Sequence, residues 1–412
     1  MLERSPLAPD RFPKIPAIAG IMLAGRHVGL KSAPGLKEDL MVARLAPGST
    51  VAGMFTNSRC SSAPVEWCRA VLPGGKIQAI VVNSGNANAF TGNAGDVVVA
   101  QTVQAAAKLL GCPRKQVFVA STGVIGVPVP PGYIAASLPK IVGELKPNSW
   151  QRAAEAILTT DTFPKGATAT AQIGDTQVTV AGFAKGSGMI APDMATMLGF
   201  VFTDAKIPAR VLQTVLKAAA DKSFNAITVD SDTSTSDTVL LCATGKGARH
   251  KPVKSARDAH LRDFRRAVEE VMTDLAVQVV RDGEGAQKLV TIDVTGAVSA
   301  QSARRIGLSV ANSPLVKTAV AGEDANWGRI VMAVGKAGEP ADRDRLSIAM
   351  GGVPITAAGQ VLDDYDEAPV AAHLKGSQIH IAIDIGLGRG KARVWTCDLT
   401  HGYITINADY RS

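Results

Sequence analysis

Aromatic side chains are scarce. Phe, Trp and Tyr make up 4% of the 412 residues, so the core has to be built from Val, Ile, Leu and Ala. Cysteine is also sparse: Cys60, Cys68, Cys112, Cys242 and Cys397 are odd in number and contain no Cys-x-x-Cys pair. That excludes a zinc ribbon and a disulfide-stapled secreted scaffold, and it favours a reducing, cytoplasmic compartment. The six histidines lack metal-ligand spacing, and no Ser/His/Asp arrangement can be read from them. No apolar run reaches the roughly eighteen residues needed to cross a membrane. Residues 15–25 resemble a signal-peptide core, but Pro16 interrupts them, Glu3 and Asp10 precede them, and Arg26 ends them without a small-x-small cleavage site. A first core strand is expected there instead.

Other motifs are incomplete in ways that exclude chemistry. Gly386-x-Gly388-x-Gly390-Lys391 lacks the spacing of a phosphate loop and leads into a strand rather than a helix, so a hairpin turn is expected. Gly123-Val124-Ile125-Gly126 is no dinucleotide fingerprint. Asp230, Asp232 and Asp237 have neither the glycine nor the distal glutamate of a calcium loop, which leaves a loop capped by its own side chains. A basic stripe is missing too, despite a formal charge of +8. Arg262, Arg265 and Arg266 alternate with Asp263, Glu269 and Glu270 as on a solvated helix face. Nucleic acid is therefore not an expected partner, whereas anionic small molecules suit the mild basic excess.

What is present is a globular composition, 46% hydrophobic and 19% charged, long enough for two domains or one layered α/β unit. Apolar runs predict strands at 15–23, 40–45, 51–55, 77–83, 117–120, 178–183, 239–243, 289–294, 379–385, 392–396 and 403–407. Helical periodicity predicts helices over 96–110, 150–158, 208–222 and 303–320, the last interrupted near Pro314. The longest is expected over 257–280, from Leu261, Phe264, Val268, Val271 and Leu275. Polar loops are expected at 83–89, 228–238 and 324–329. The class is α/β or α+β.

Residues 185–200 carry the most specific chemistry: a Gly186-Ser187-Gly188 hinge, Pro192, then an Ala195-Thr196 bond at the start of an apolar run. A hydroxyl placed there can attack the preceding carbonyl, shift the amide to an ester, and leave a new amino terminus after hydrolysis. Thr196 would then hold nucleophile and base on one residue. Acyl transfer also needs oxyanion donors, which Thr122-Gly123 can supply through a backbone N–H and a hydroxyl. Glu284, between Gly283 and Gly285, is a carboxylate that a ligand could approach closely.

Taken together, Asn83-Ser84-Gly85-Asn86-Ala87-Asn88-Ala89, Ser121-Thr122-Gly123-Val124-Ile125-Gly126, Thr159-Thr160-Asp161-Thr162-Phe163-Pro164-Lys165, residues 185–198, Asp282-Gly283-Glu284-Gly285-Ala286 and residues 407–412 resemble the ornithine acetyltransferase family, the bifunctional arginine-biosynthesis glutamate N-acetyltransferases. The motifs occur in family order along nearly the whole chain. The resemblance implies a layered α/β sandwich that cleaves itself between Ala195 and Thr196 into associated fragments 1–195 and 196–412, usually a heterotetramer. It implies Thr196 as the acetyl-carrying nucleophile and Thr122 and Gly123 as the oxyanion hole. Substrate contacts fall on Thr159, Lys185, Thr196, Glu284, Asn407 and Ser412, with Thr160 and Thr162 as alternatives to Thr159. Asp193 departs from the Asn often found in the family, a change that bears on cleavage rate and leaves the nucleophile intact.

The implied reaction takes the acetyl group from N-acetylornithine to glutamate. A free α-amine has a pKa near neutrality, roughly 7.7–8.0, and can act as base. One amide is exchanged for a similar one, so neither ATP nor a metal is called for; acetyl-CoA is left open as a second donor. On charge alone, Lys185 suits a substrate carboxylate and Glu284 an amine. Rival readings are a self-processed aminopeptidase and an uncleaved, non-catalytic binding protein.

Overall fold

Alternation along the central strands sets the layering. In the run from Leu198 to Phe202, Leu198, Phe200 and Phe202 join one apolar cluster while Val201 joins another, so this strand is buried on both faces. The computed structural model describes residues 3–31, 37–191 and 197–408. Among them the strands form three sheets.

The first sheet has the order β1 (Ile21–Arg26), β2 (Leu40–Leu45), β4 (Ala79–Asn86), β5 (Val117–Val124). The second runs β3 (Thr50–Phe55), β9 (Thr238–Ala243), β8 (Leu198–Thr203), β7 (Thr176–Lys185), β6 (Lys165–Ile173). In the third, β13 (Gln360–Val361), β12 (Val353–Ala357), β11 (Ser347–Met350), β14 (Gln378–Asp384), β10 (Leu289–Ala297) and β15 (Gly390–Cys397) lie side by side.

Helices complete the layers. Around the first sheet lie α1 (Ala63–Val71), α2 (Asn93–Leu110), α3 (Tyr133–Val142) and α4 (Trp150–Glu155); Val98, Val103 and Leu138 pack in one cluster with Val81 and Phe118. The outer face of the second sheet is covered by α5 (Ala209–Ala220) and α6 (Arg262–Arg281), through Val211, Leu212, Val215 and Phe264, Val268, Val271, Leu275. Those positions recur every three or four residues, the stripe a helix needs to cover a sheet. The third sheet carries α7 (Ala300–Ala311), α8 (Pro314–Ala321), α9 (Trp327–Gly335) and α10 (Ala368–Leu374). The last helix is α11 (His401–Ala408). The expected layered α/β sandwich is what forms.

The core is mostly aliphatic, as the composition requires, with its few buried aromatic rings partly gathered in one place. Trp150, Phe183, Phe200 and Phe202 gather where the first two sheets meet, their paired ring centroids 5.7–6.3 Å apart. Flat rings fill the space between two sheet faces that short aliphatic chains would leave open.

Several local expectations change. The run 15–23 becomes a strand only from Ile21. The polar segment 83–89 begins as the end of β4, because parallel pairing with β5 continues through Gly85 opposite Gly123. Pro314 separates two helices rather than interrupting one. Residues 327–335 are helical, and 403–407, expected as a strand, lie within α11. The glycine-rich turn after β14 is no hairpin, because β10 lies between β14 and β15. Strand β6, helices α1, α3 and α10, and strands β11 to β13 had not been anticipated. By contrast, Asp230 does cap its surroundings, accepting from the backbone N–H groups of Met189, Ile190 and Asp232.

Candidate active site

One edge of the two stacked sheets collects the chemistry. The C-terminal ends of parallel β4 and β5 arrive there with Asn83 to Asn86 and Ser121 to Val124. The C-terminal end of β7 brings Lys185, and the N-terminal end of β8, antiparallel to it, begins at Leu198 opposite Lys185. Ala195, Thr196, Asp193 and Ser412 lie outside the described residues. A cavity of about 320 Å³ opens at this edge, lined among others by Thr122, Gly123, Thr159, Lys185, Glu284 and Asn407. The six come from five separate stretches of chain, so only the fold brings them together. A larger surface cavity lined by Lys76, Lys206 and Arg249 holds none of these groups, and another, lined by Thr162, Asp282 and His401, shares only Glu284 of the six.

Close backbone approach at the site depends on two glycines. Gly123 has φ +127°, and a Cβ there would sit 2.3 Å from the Gly85 carbonyl carbon. A Cβ on Gly188 would sit 2.4 Å from a Glu284 carboxylate oxygen. Any larger residue at either position would push the cavity walls apart.

Lys185 is buried at the centre. Its Nζ donates to Thr159 Oγ1 at 2.8 Å and to Thr122 Oγ1 at 3.3 Å, and stands 3.7 Å from Asp161 Oδ2. Burial lowers its pKa below the ordinary lysine value of 10.5, and the nearby Asp161 charge only partly offsets this. Opposite it, Asn407 on α11 donates from Nδ2 to Glu284 Oε2 at 2.7 Å, and the Glu284 N–H donates to Ser187 O at 3.1 Å. The cavity thus has a cationic wall and an anionic wall. That arrangement can hold a small molecule carrying both a carboxylate and an amine.

A second network fixes the first. Asp161 accepts from the N–H groups of Thr159 (3.0 Å) and Gly186 (2.7 Å) and from Lys165 Nζ (2.7 Å). Lys165 Nζ also reaches Asp282 Oδ2 at 2.6 Å, and Asp282 accepts the Thr162 N–H at 2.9 Å. Burial works against the Asp161 charge, yet the Lys165 and Lys185 ammoniums hold its carboxyl well below the usual range. The strand end that carries Lys185 and the helix end that precedes Glu284 are therefore tied to one buried ion cluster.

The three-threonine alternative divides clearly. Thr159 and Thr160 line the cavity, with Thr159 on Lys185 and Thr160 Oγ1 2.6 Å from Ser187 Oγ. Thr162 points into the ion cluster through Asp282. Sequence reasoning had given no role to Asp161 or Lys165, although both stand in the quoted motif as charged residues next to an apolar strand. Lys31 was missed with no signal to find it; burial lowers its pKa to about 8, and it is close enough to feel Asp161 and Lys185.

Residues 22–412 match the ArgJ family. The chain belongs to the ArgJ family. It is 56% identical to the arginine biosynthesis bifunctional protein ArgJ of Mesorhizobium japonicum, covering 99% of both chains. To the ArgJ protein of Gluconobacter oxydans it is 55% identical over its whole length and 96% of that protein. Among solved structures, the ArgJ protein of Bacillus halodurans shares 39% identity at a TM-score of 0.50, with 52% of this chain and 99% of that one covered. As an ArgJ-family chain it is an acetyltransferase of arginine biosynthesis. No helix among the described residues is long and apolar enough to cross a membrane.

Proposed function

We propose that the enzyme transfers the acetyl group of N-acetylornithine to glutamate through an acetyl ester on Thr196, which becomes an amino terminus by cleavage of the Ala195-Thr196 bond. The observation that carries this reading is the shared cavity, where the oxyanion pair Thr122 and Gly123 meets Thr159, Lys185, Glu284 and Asn407. Lys185 is the partner for the ornithine carboxylate and Glu284 for its side-chain amine. Two opposite charges across a small cavity fix a zwitterion in one orientation. Thr122 and Gly123 stabilise the oxyanion when Thr196 attacks the acetyl carbonyl. Ornithine leaves, glutamate enters, and its amine takes the acetyl group in a ping-pong cycle. Ser412 is assigned as the sixth substrate contact.

The second sheet supports association of the fragments after cleavage. Its order β3-β9-β8-β7-β6 interleaves strands from either side of residue 195, so neither fragment can complete the sheet alone. We assign the enzyme to the cytoplasm, in keeping with five free cysteines, and to a heterotetramer of two fragment pairs. Acetyl-CoA is the second donor to test.

Incubation with N-acetylornithine and glutamate should yield ornithine and N-acetylglutamate in equal amounts. Release of acetate without N-acetylglutamate would instead identify a hydrolase. Thr196→Ala should give one full-length band on a denaturing gel and no transfer.

A further inference from the structure

The acidic loop before β9 has one buried member that neither the capping role nor the substrate cavity absorbs. Asp237 is fully buried, and its Oδ1 accepts the Met197 N–H at 2.8 Å. Its other oxygen, Oδ2, is buried with no hydrogen-bond partner among the described residues. Buried carboxyl oxygens without a partner are rare in folded proteins and call for a reason. The backbone around Asp237 is fixed on both sides. The Thr56 N–H donates to its carbonyl, and the Thr238 N–H donates to Met197 O at 3.1 Å. Parallel pairing of Leu198 with Thr238 then locks β8 to β9 in register. The residues just before it, Ser234, Thr235 and Ser236, line the substrate cavity.

The nitrogen held by Asp237 belongs to the peptide bond that links Met197 to Thr196. We infer that Asp237 is the positioning residue for Thr196: by holding the Met197 N–H it clamps the peptide on the C-terminal side of the threonine. The inference rests on the proposed role of Thr196 as nucleophile. Clamping this peptide restrains the backbone that leads from Met197 to the proposed nucleophile, and a small error there is costly to both cleavage and acyl transfer. Burial also raises the Asp237 pKa well above the usual carboxylate range, which favours the neutral acid. The uncharged amide of asparagine is therefore the natural conservative replacement.

The test uses the full chain with Asp237→Ala, Asp237→Asn and Thr196→Ala, and follows processing by denaturing gel and transfer by kcat and KM. Asp237→Ala is expected to slow processing at least tenfold and to lower kcat by a similar factor with KM for N-acetylornithine unchanged. Asp237→Asn, which still accepts the Met197 N–H, is expected to recover most of both. Wild-type processing and kcat in Asp237→Ala would overturn the inference, as would an Asp237→Asn chain that folds normally but fails as badly as the alanine variant. Val239→Ala, on the same strand, controls for destabilisation below the melting transition: equal slowing in both alanine variants would reduce Asp237 to a packing role. If Asp237→Ala does not fold, Asp237→Ser is read by the same criteria. Processing or transfer in Thr196→Ala would instead sink the role of Thr196 itself, whatever Asp237 does.

Discussion

Two lysines twenty positions apart, Lys165 and Lys185, are both buried and sit together at the open end of the antiparallel pair β6 and β7, where Lys165 faces Ala184, yet their surroundings differ. Lys165 contacts two carboxylates at 2.7 and 2.6 Å. Lys185 contacts two threonine hydroxyls and stands 3.7 Å from its nearest carboxylate. Burial opposes both charges, but Asp161 and Asp282 raise the Lys165 pKa above 10.5, while that of Lys185 is lowered. Burial therefore does not mark a functional cation. What distinguishes Lys185 is charge left unmet by the protein, facing a cavity where a ligand carboxylate can meet it.

The largest effect that would sharpen this contrast is on stability. Lys165→Met leaves two buried carboxylates without their cation and should cost about 3–5 kcal/mol, measured by chemical denaturation. Lys185→Met removes a poorly compensated buried charge and should change stability by no more than about 1 kcal/mol. Its effect falls on the reaction: kcat/KM for N-acetylornithine should drop about 1000-fold, as for loss of a buried ion-pair partner. Equal stability losses in the two variants would break the comparison. Glu284→Gln keeps the Asn407 contact geometry but removes the charge, and should raise KM for N-acetylornithine about tenfold with little change in melting.

The smallest effect is in pH dependence, where the two lysines have opposite signs. A folded pKa above the unfolded value means that the Lys165 contribution is complete below pH 10.5 and is lost as pH rises through its higher folded value. A folded pKa below the unfolded value means that Lys185 carries a cost at low pH, relieved as pH rises from its lowered value to 10.5. Over that window the stability of the wild type relative to Lys185→Met should improve, while relative to Lys165→Met it should hold steady. Denaturation curves at stepped pH would show whether the two gaps diverge.

The same contrast shows what could be read from the sequence. The strand 40–45 follows from its continuous apolar run, buried at consecutive positions, and the helix built on Phe264, Val268, Val271 and Leu275 follows from periodicity, because it buries one face against its layer. Residues 403–407 misled, since Tyr-Ile-Thr-Ile alternates as a strand should. In the fold Ile404 is exposed and the segment is helical, held where Gly402 and Tyr403 pack against Gly285, a tertiary contact that no local pattern carries. Among site residues, Lys185 and Glu284 were named from motifs, and the cavity joins them. The ion cluster of Asp161, Lys165 and Asp282 was invisible as a cluster because its members are separated by up to 121 residues and meet only where β6 lies on α6. Charge alone could not tell the partner that is satisfied from the one that is not.

The most direct test of the account is the mass of the fragment 196–412 after brief exposure to N-acetylornithine without glutamate. The account predicts a fragment heavier by one acetyl group, located on residue 196 and removed when glutamate is added. An unmodified fragment under conditions that support transfer, or an acetyl group on any other residue, would contradict it.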